Sequence, residues 1–367
     1  MIRVPLVDLA AQHAQVAEEV AAGWAEVLAT TAFVGGRQIA EFEAEFAAYA
    51  GAAHCVGMAN GTDAIELALR ACGVGPGAEC VLPANTFIAT AEAVARTGAT
   101  PVLVDCDEAG YLVDPAAVAA AVTPRTRAVL PVHLYGQLAE TERLVPVAEA
   151  AGAVLVEDAA QAQGARRHGA GIGAGRLAAT SFYPGKNLGA YGDAGAVLTN
   201  DAGLAERLRL LREHGSPRKY EHTMLGFNSR LDTLQAVVLL AKLRRLDGWN
   251  AARRAAAARY DTLLSGVDGV VRPVTLPGNE HVWHLYVVRV PDRDLVLKRL
   301  HEAGIGAGIH YPTPLHLTEA FGWLGYGPGA FPVAERVAGE ILSLPLYAEI
   351  TPAQQEYVVS ALAEALR

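Results

Sequence analysis

The stretch that decides the fold is Val154-Leu155-Val156-Glu157-Asp158-Ala159-Ala160-Gln161. An apolar run without polar alternation ends on two carboxylates, with a glutamine three residues later. Such a run reads as a strand covered on both faces, as in a parallel sheet. In open sheets of that kind ligands bind beyond the carboxyl ends of the strands. Asp158 there can hold a cationic ring nitrogen, and Gln161 can reach a neighbouring ring substituent. The ordinary alternative for Asp158 is a helix N-cap.

The same texture repeats outward. Strands are expected over residues 54–58, 80–82, 101–104 and 128–132, and helices over 63–72, 87–96 and about 140–150. This alternation specifies an α/β architecture with a mostly parallel sheet. Amphipathic helices follow over 231–246, ending near Asp247-Gly248, and over 251–264. Beyond them the texture changes to β-type runs at 270–271 and 283–290 and a Gly/Pro-rich stretch over 304–332. The chain therefore divides into a large domain over residues 1–248 and a smaller C-terminal α+β domain over 249–367.

Composition narrows the function. The 367 residues carry 30 Lys+Arg against 39 Asp+Glu, a net charge of -9, with no basic run, which argues against a nucleic-acid partner. Mean hydropathy is +0.21, but it comes from dispersed Ala and Val, and no apolar stretch reaches the ~20 residues of a spanning helix. Met1-Ile2-Arg3-Val4-Pro5 lacks a basic n-region followed by an apolar h-region, so no signal peptide is expected. The four cysteines, Cys55, Cys72, Cys80 and Cys106, form no CxxC pair and read as small buried residues. A cytoplasmic protein is the simplest expectation.

Two more segments carry chemistry. Met58-Ala59-Asn60-Gly61-Thr62-Asp63 leads from a strand through a tight turn into a helix. Exposed backbone N–H groups and the helix dipole make that position a phosphate cradle, if it is more than a capped helix start. Asp63 is awkward beside a phosphate, so its carboxylate is expected to point away and cap its own helix. Thr180-Ser181-Phe182-Tyr183-Pro184-Gly185-Lys186-Asn187-Leu188-Gly189 sets one lysine among apolar residues and turn formers. Burial lowers a lysine's pKa and frees its amine for Schiff-base chemistry; the alternative is a surface loop lysine. A phosphate cradle, a pyridinium acid and a Schiff-base lysine together point to pyridoxal 5'-phosphate.

Further blocks extend the pattern: Pro5-Leu6-Val7-Asp8-Leu9, Phe33-Val34-Gly35-Gly36 with Phe42-Glu43, Pro83-Ala84-Asn85-Thr86-Phe87, Val132-His133-Leu134-Tyr135-Gly136, Gly226-Phe227-Asn228-Ser229-Arg230, His310-Tyr311-Pro312-Thr313-Pro314-Leu315-His316 and Ser343-Leu344-Pro345-Leu346. In this order, over nearly the whole chain, they resemble the sugar aminotransferases of the DegT/DnrJ/EryC1/StrS group. The resemblance implies the aspartate aminotransferase-like (type I) fold. It also implies that Lys186 is the Schiff-base lysine and proton carrier, that Asp158 pairs with the pyridine nitrogen, and that Gln161 bonds the ring's phenolic oxygen. Gly61, Thr62, Asp63 and Ser181 would hold the phosphate, and Phe87 would stack on the cofactor. Asn228 would reach the phosphate of a neighbouring subunit, which implies a homodimer with shared active sites.

The sugar-site candidates are Tyr183, Arg230, His310, Tyr311 and His316; in relatives the His-Tyr-Pro-x-Pro-x-His loop lines that site. Arg212, Arg218 and Lys219 are further basic candidates for a nucleotide diphosphate, though surface charge is their default. His281 and His284 hint at a metal pair, but in a β-type run an offset of three puts them on opposite faces, so no metal is expected. Gly169-Ala170-Gly171-Ile172-Gly173-Ala174-Gly175 lacks the GxGxxG spacing and reads as a flexible turn.

The leading expectation is amino transfer from L-glutamate to a dTDP-linked 3-keto-6-deoxyhexose, because the His-Tyr-Pro-x-Pro loop is closer to that of the 3-aminotransferases. The alternatives are a 4-keto-6-deoxyhexose 4-aminotransferase, a cyclitol (scyllo-inosose type) aminotransferase and a non-enzymatic regulator on the same fold. A sugar dehydratase would carry histidine where Lys186 stands, and a dehydrogenase rests only on the glycine run.

Overall fold

A computed structural model describes residues 4–173 and 175–367. Met1, Ile2 and Arg3, part of the leader reading, and Ala174, part of the glycine run, lie outside the described residues.

The large sheet is built from β1 (His54–Met58), β2 (Glu79–Pro83), β3 (Thr100–Val104), β4 (Thr126–Val129) and β5 (Val154–Asp158). After the short β6 (Arg166–Arg167) come β7 (Leu177–Ser181) and β8 (Gly195–Thr199). Strand order is β1-β8-β7-β5-β4-β2-β3. Pairings from β7 through β5, β4 and β2 to β3 are parallel, and β8 runs antiparallel to both its neighbours. The central strands are apolar because helices cover both faces. Val56, Leu82, Leu130 and Val156 belong to one core, and Cys55, Ala178 and Leu198 pack with Phe42, Phe46 and Phe182 in another.

Register brings distant segments level. Ser181 of β7 and Met58 of β1 both stand opposite Gly195 of β8, and Asp158 of β5 stands opposite Ala179. The approach is close enough to require glycine: a Cβ on Gly61 would lie 2.6 Å from Ser181 Cβ, and one on Gly195 would lie 2.4 Å from the Asn60 carbonyl oxygen.

The C-terminal part has its own core, in which Tyr260, Tyr286, Leu300, Leu342 and Val358 pack together and Val4 joins them from the chain's start. The short β9 (Asn279–Glu280) pairs with β6, and β10 (Tyr286–Arg289) pairs antiparallel with β11 (Ile341–Leu344).

Two expectations are corrected. The helix break expected at Asp247-Gly248 falls earlier: one helix is Thr233–Leu243, and the next, Leu246–Leu263, runs straight through those residues. In a first turn glycine forfeits little, and Asp247 favours the positive end of the helix. Residue 248, the expected boundary between the two domains, thus lies inside a continuous helix. The β-type run at 283–290 is a strand only from Tyr286, because Trp283 takes a positive φ of 49° and turns the chain.

Candidate active site

One cavity of about 430 Å³ gathers Asn60, Gly61, Thr62, Phe87, Asp158, Gln161, Ser181, Tyr183, Lys186, His310 and Tyr311. Its sheet side is made of strand ends. Asn60 caps the helix Gly61–Ala71 by accepting from the Asp63 N–H at 2.8 Å. The first N–H groups of that turn, which no intrahelical carbonyl can reach, stand at the cavity beside Ser181.

Asp158 ends β5 and is 6% exposed. Its Oδ2 accepts from the Thr90 hydroxyl at 2.7 Å and its Oδ1 from the Ala160 N–H at 3.1 Å. Gln161 Oε1 accepts the Tyr135 N–H at 2.6 Å, which turns its amide nitrogen toward the Tyr311 hydroxyl, 3.1 Å away. Burial pushes the Lys186 amine down to about 8, while the Asp158 carboxylate pulls the other way. Phe87, 49% exposed, lies with its ring 5.2 Å from that of Tyr311. Tyr183, at 59%, lines the mouth.

Four expected site residues lie elsewhere. Asp63 neither lines the cavity nor caps its helix; its carboxylate accepts from Ser229 Oγ at 2.9 Å and from Arg96 at 3.3 Å. Asn228 is exposed, in a bridge with Glu213, and does not line this chain's cavity. Arg230 is paired with Glu213 at 2.7 Å. His316 is buried against Phe331, with its Nε2 2.9 Å from Glu335, and so is a packing residue rather than a wall of the cavity. Of the other basic candidates, Arg212 is tied to Glu43 and the Gly57 carbonyl, whereas Arg218 and Lys219 are exposed.

His281 and His284, expected on opposite faces, have different surroundings. His281 stacks on Trp283 at 3.8 Å. His284 lines the cavity, and burial together with Lys186, Arg253 and His310 keeps its imidazole neutral. Asn187 donates its amide protons to Asn250 Oδ1 and the Val282 carbonyl, both at 2.9 Å. Its Oδ1 can therefore only accept, so His284 Nδ1 at 3.2 Å carries the proton and Nε2 is the bare nitrogen. No sequence signal marked His284, since its direction depends on the Trp283 turn. Behind β5, Glu157 accepts from His133, Gly173 and Gly175, which ties down the glycine run. Among the described residues no cluster of three His, Cys, Asp or Glu could hold a metal, and no helix is long and apolar enough to cross a membrane.

The sequence profile described as the DegT/DnrJ/EryC1/StrS aminotransferase family matches residues 14–363. The chain belongs to that family. Membership makes it a sugar aminotransferase that depends on pyridoxal 5'-phosphate. It is 49% identical over 360 residues to the erythromycin biosynthesis sensory transduction protein EryC1 of Saccharopolyspora erythraea, covering 98% of each chain. Over 363 residues it is 48% identical to the dTDP-3-amino-3,4,6-trideoxy-alpha-D-glucose transaminase of Streptomyces venezuelae, covering 99% of this chain and 96% of that one. The crystal structure of S. venezuelae DesV in complex with a ketimine intermediate superposes with a TM-score of 0.98 at 48% identity, covering 100% of both chains. The residues present suit the family's cofactor: a helix N-terminus and a serine for a phosphate, a buried carboxylate for a ring nitrogen, and an amine of lowered pKa.

Proposed function

We propose that this family member transfers an amino group from L-glutamate to a dTDP-linked 3-keto-6-deoxyhexose. The observation that carries the reading is the convergence of Asp158 and a low-pKa Lys186 in one cavity whose other wall is His284, His310 and Tyr311. Position 3 and the dTDP carrier are supported by the His310–His316 loop sequence and by the S. venezuelae relative, whose name states both.

When bound, pyridoxal phosphate supplies a carbonyl that accepts the amine and a ring that takes up negative charge. The chain does the rest. Gly61, Thr62 and Ser181 offer N–H and hydroxyl donors to the phosphate, and Asp158 holds the proton on the ring nitrogen. Gln161 faces the phenolic oxygen with its amide nitrogen, and Phe87 covers one face of the ring. Lys186, once free, titrates near 8 instead of 10.5, so it reaches the neutral form that can take a proton from the substrate carbon and return it at mildly alkaline pH. His310 and His284 are held neutral by burial and offer acceptors to sugar hydroxyls. Asn228, exposed and outside the lining of its own cavity, suits a homodimer in which each chain completes the other's phosphate site. The large and small domains would meet near residue 248.

The test runs the reverse reaction on 3-amino and 4-amino dTDP-sugars, other nucleotide-linked amino sugars and aminocyclitols, following consumption of 2-oxoglutarate. Turnover confined to a 4-amino sugar or a cyclitol would replace the proposed substrate. A protein that takes up no cofactor and turns over none of them would leave the regulator reading.

A further inference from the structure

A threonine in a helix usually spends its hydroxyl on the carbonyl three or four residues earlier. Three threonines here do so: Thr30 on Glu26 at 3.0 Å, Thr97 on Val94 at 2.7 Å and Thr262 on Ala258 at 3.1 Å. Thr90 does not. It sits in the first turn of the helix Ile88–Thr97, is 0% exposed, and donates across the structure to Asp158 Oδ2. A hydroxyl has one proton. With that proton on the carboxylate, the Thr90 oxygen must accept from Thr86 Oγ1, 2.9 Å away. Thr86 in turn lines the cavity. The direction of the chain is thus set: Thr86 donates to Thr90, and Thr90 donates to Asp158.

The opposite oxygen of Asp158 is held by the Ala160 N–H. Both carboxylate oxygens are therefore gripped, one by the turn after β5 and one by the helix Ile88–Thr97, which Phe87 precedes. A buried carboxylate with a free side-chain torsion would lose orientation when either grip is removed.

We infer that Thr90 is a positioning residue: through the Thr86–Thr90 hydroxyl chain, the helix that presents Phe87 to the cofactor also aims Asp158 at its ring nitrogen. The inference rests on the role given to Asp158 above. It makes Thr90 matter for the cofactor rather than for packing, even though no atom of Thr90 reaches the cavity lining.

The experiment compares holoenzymes of wild type, Thr90→Val, Thr90→Ser and Thr86→Val. Valine keeps the shape of threonine and removes the donor. Thr90→Val is expected to raise the dissociation constant for pyridoxamine phosphate roughly tenfold, read by equilibrium dialysis, and to lower kcat roughly 10–100-fold, the range found for outer-shell partners of a site. KM for both substrates should stay within about twofold, because Asp158 faces the cofactor and not the sugar. Thr90→Ser should restore both quantities to near wild type, and Thr86→Val should show the same pattern more weakly. Cofactor affinity and kcat unchanged in Thr90→Val would overturn the inference while leaving the role of Asp158 intact. So would a loss that Thr90→Ser fails to rescue, which marks a packing role. If Thr90→Val does not fold, Thr86→Val decides: wild-type affinity and kcat there overturn the inference. A wild type that takes up no cofactor at all overturns it together with the reading of the site.

Discussion

The two walls of the cavity are built on different principles. On the sheet side, Gly61, Asp158, Gln161, Ser181 and Lys186 come from strand ends or the turns that follow them, and the register of β1, β8, β7 and β5 brings them level. On the other side, His284, His310 and Tyr311 come from irregular backbone, where one residue's torsion decides which way a side chain faces. A strand end is positioned by a long apolar pattern and is hard to move. A loop side chain is positioned by the few groups it touches. The sheet wall should therefore carry chemistry common to the family, and the loop wall should carry selectivity.

Variants can break or sharpen this contrast. Lys186→Ala should abolish borohydride-fixed cofactor and lower turnover by roughly a thousandfold or more, the scale of a lost general acid–base group; retained fixation at another lysine would displace it from the sheet wall. For Asp158→Ala we expect turnover to fall by about a hundredfold or more with KM for the sugar little changed. A change confined to KM would move Asp158 to the substrate side.

The lowered pKa of Lys186 gives a pH test on the same wall. An amine that titrates near 8 rather than 10.5 gains its neutral, reactive form at lower pH. Capture of added pyridoxal phosphate by the apoprotein should therefore rise roughly fiftyfold from pH 6 to pH 8 and then level off. A rate still climbing steeply at pH 10 would mean that the amine is not desolvated.

The loop wall is tested by a pair of histidines six residues apart. His310→Gln should raise KM for the sugar by about tenfold while cofactor binding stays normal. His316→Gln should leave both unchanged and lower the melting temperature by a few degrees, because His316 packs on Phe331 and Glu335. The reverse outcome would restore His316 to the site and remove the contrast.

How legible these walls were follows from how each is held. Asp158 was visible because an apolar run has to end somewhere, and its last residues face whatever lies past the sheet. Lys186 was visible because a lone lysine among turn formers and apolar neighbours has few reasons to be there. Asp63 was expected to turn its carboxylate away from the cradle, but its partner was not legible, because sequence fixes the turn and not what meets it: Ser229, 166 residues away, donates to that carboxylate. His284 was weighed only as half of a metal pair, and its place in the cavity was not legible because the positive φ at Trp283 breaks the strand alternation. His310 and His316 were grouped by one motif, yet Ser343 holds the first at the cavity and Glu335 draws the second into the core.

By itself, then, the sequence determined the alternating α/β architecture, the order of the cofactor-side residues and the family resemblance. These follow from local hydrophobic period and from strand-end position, which neighbouring residues specify. The tertiary structure alone decided which way the histidines face and that Thr90 reaches Asp158. Each of those depends on a contact between residues far apart in the chain, and nothing in the local pattern of either partner encodes the other.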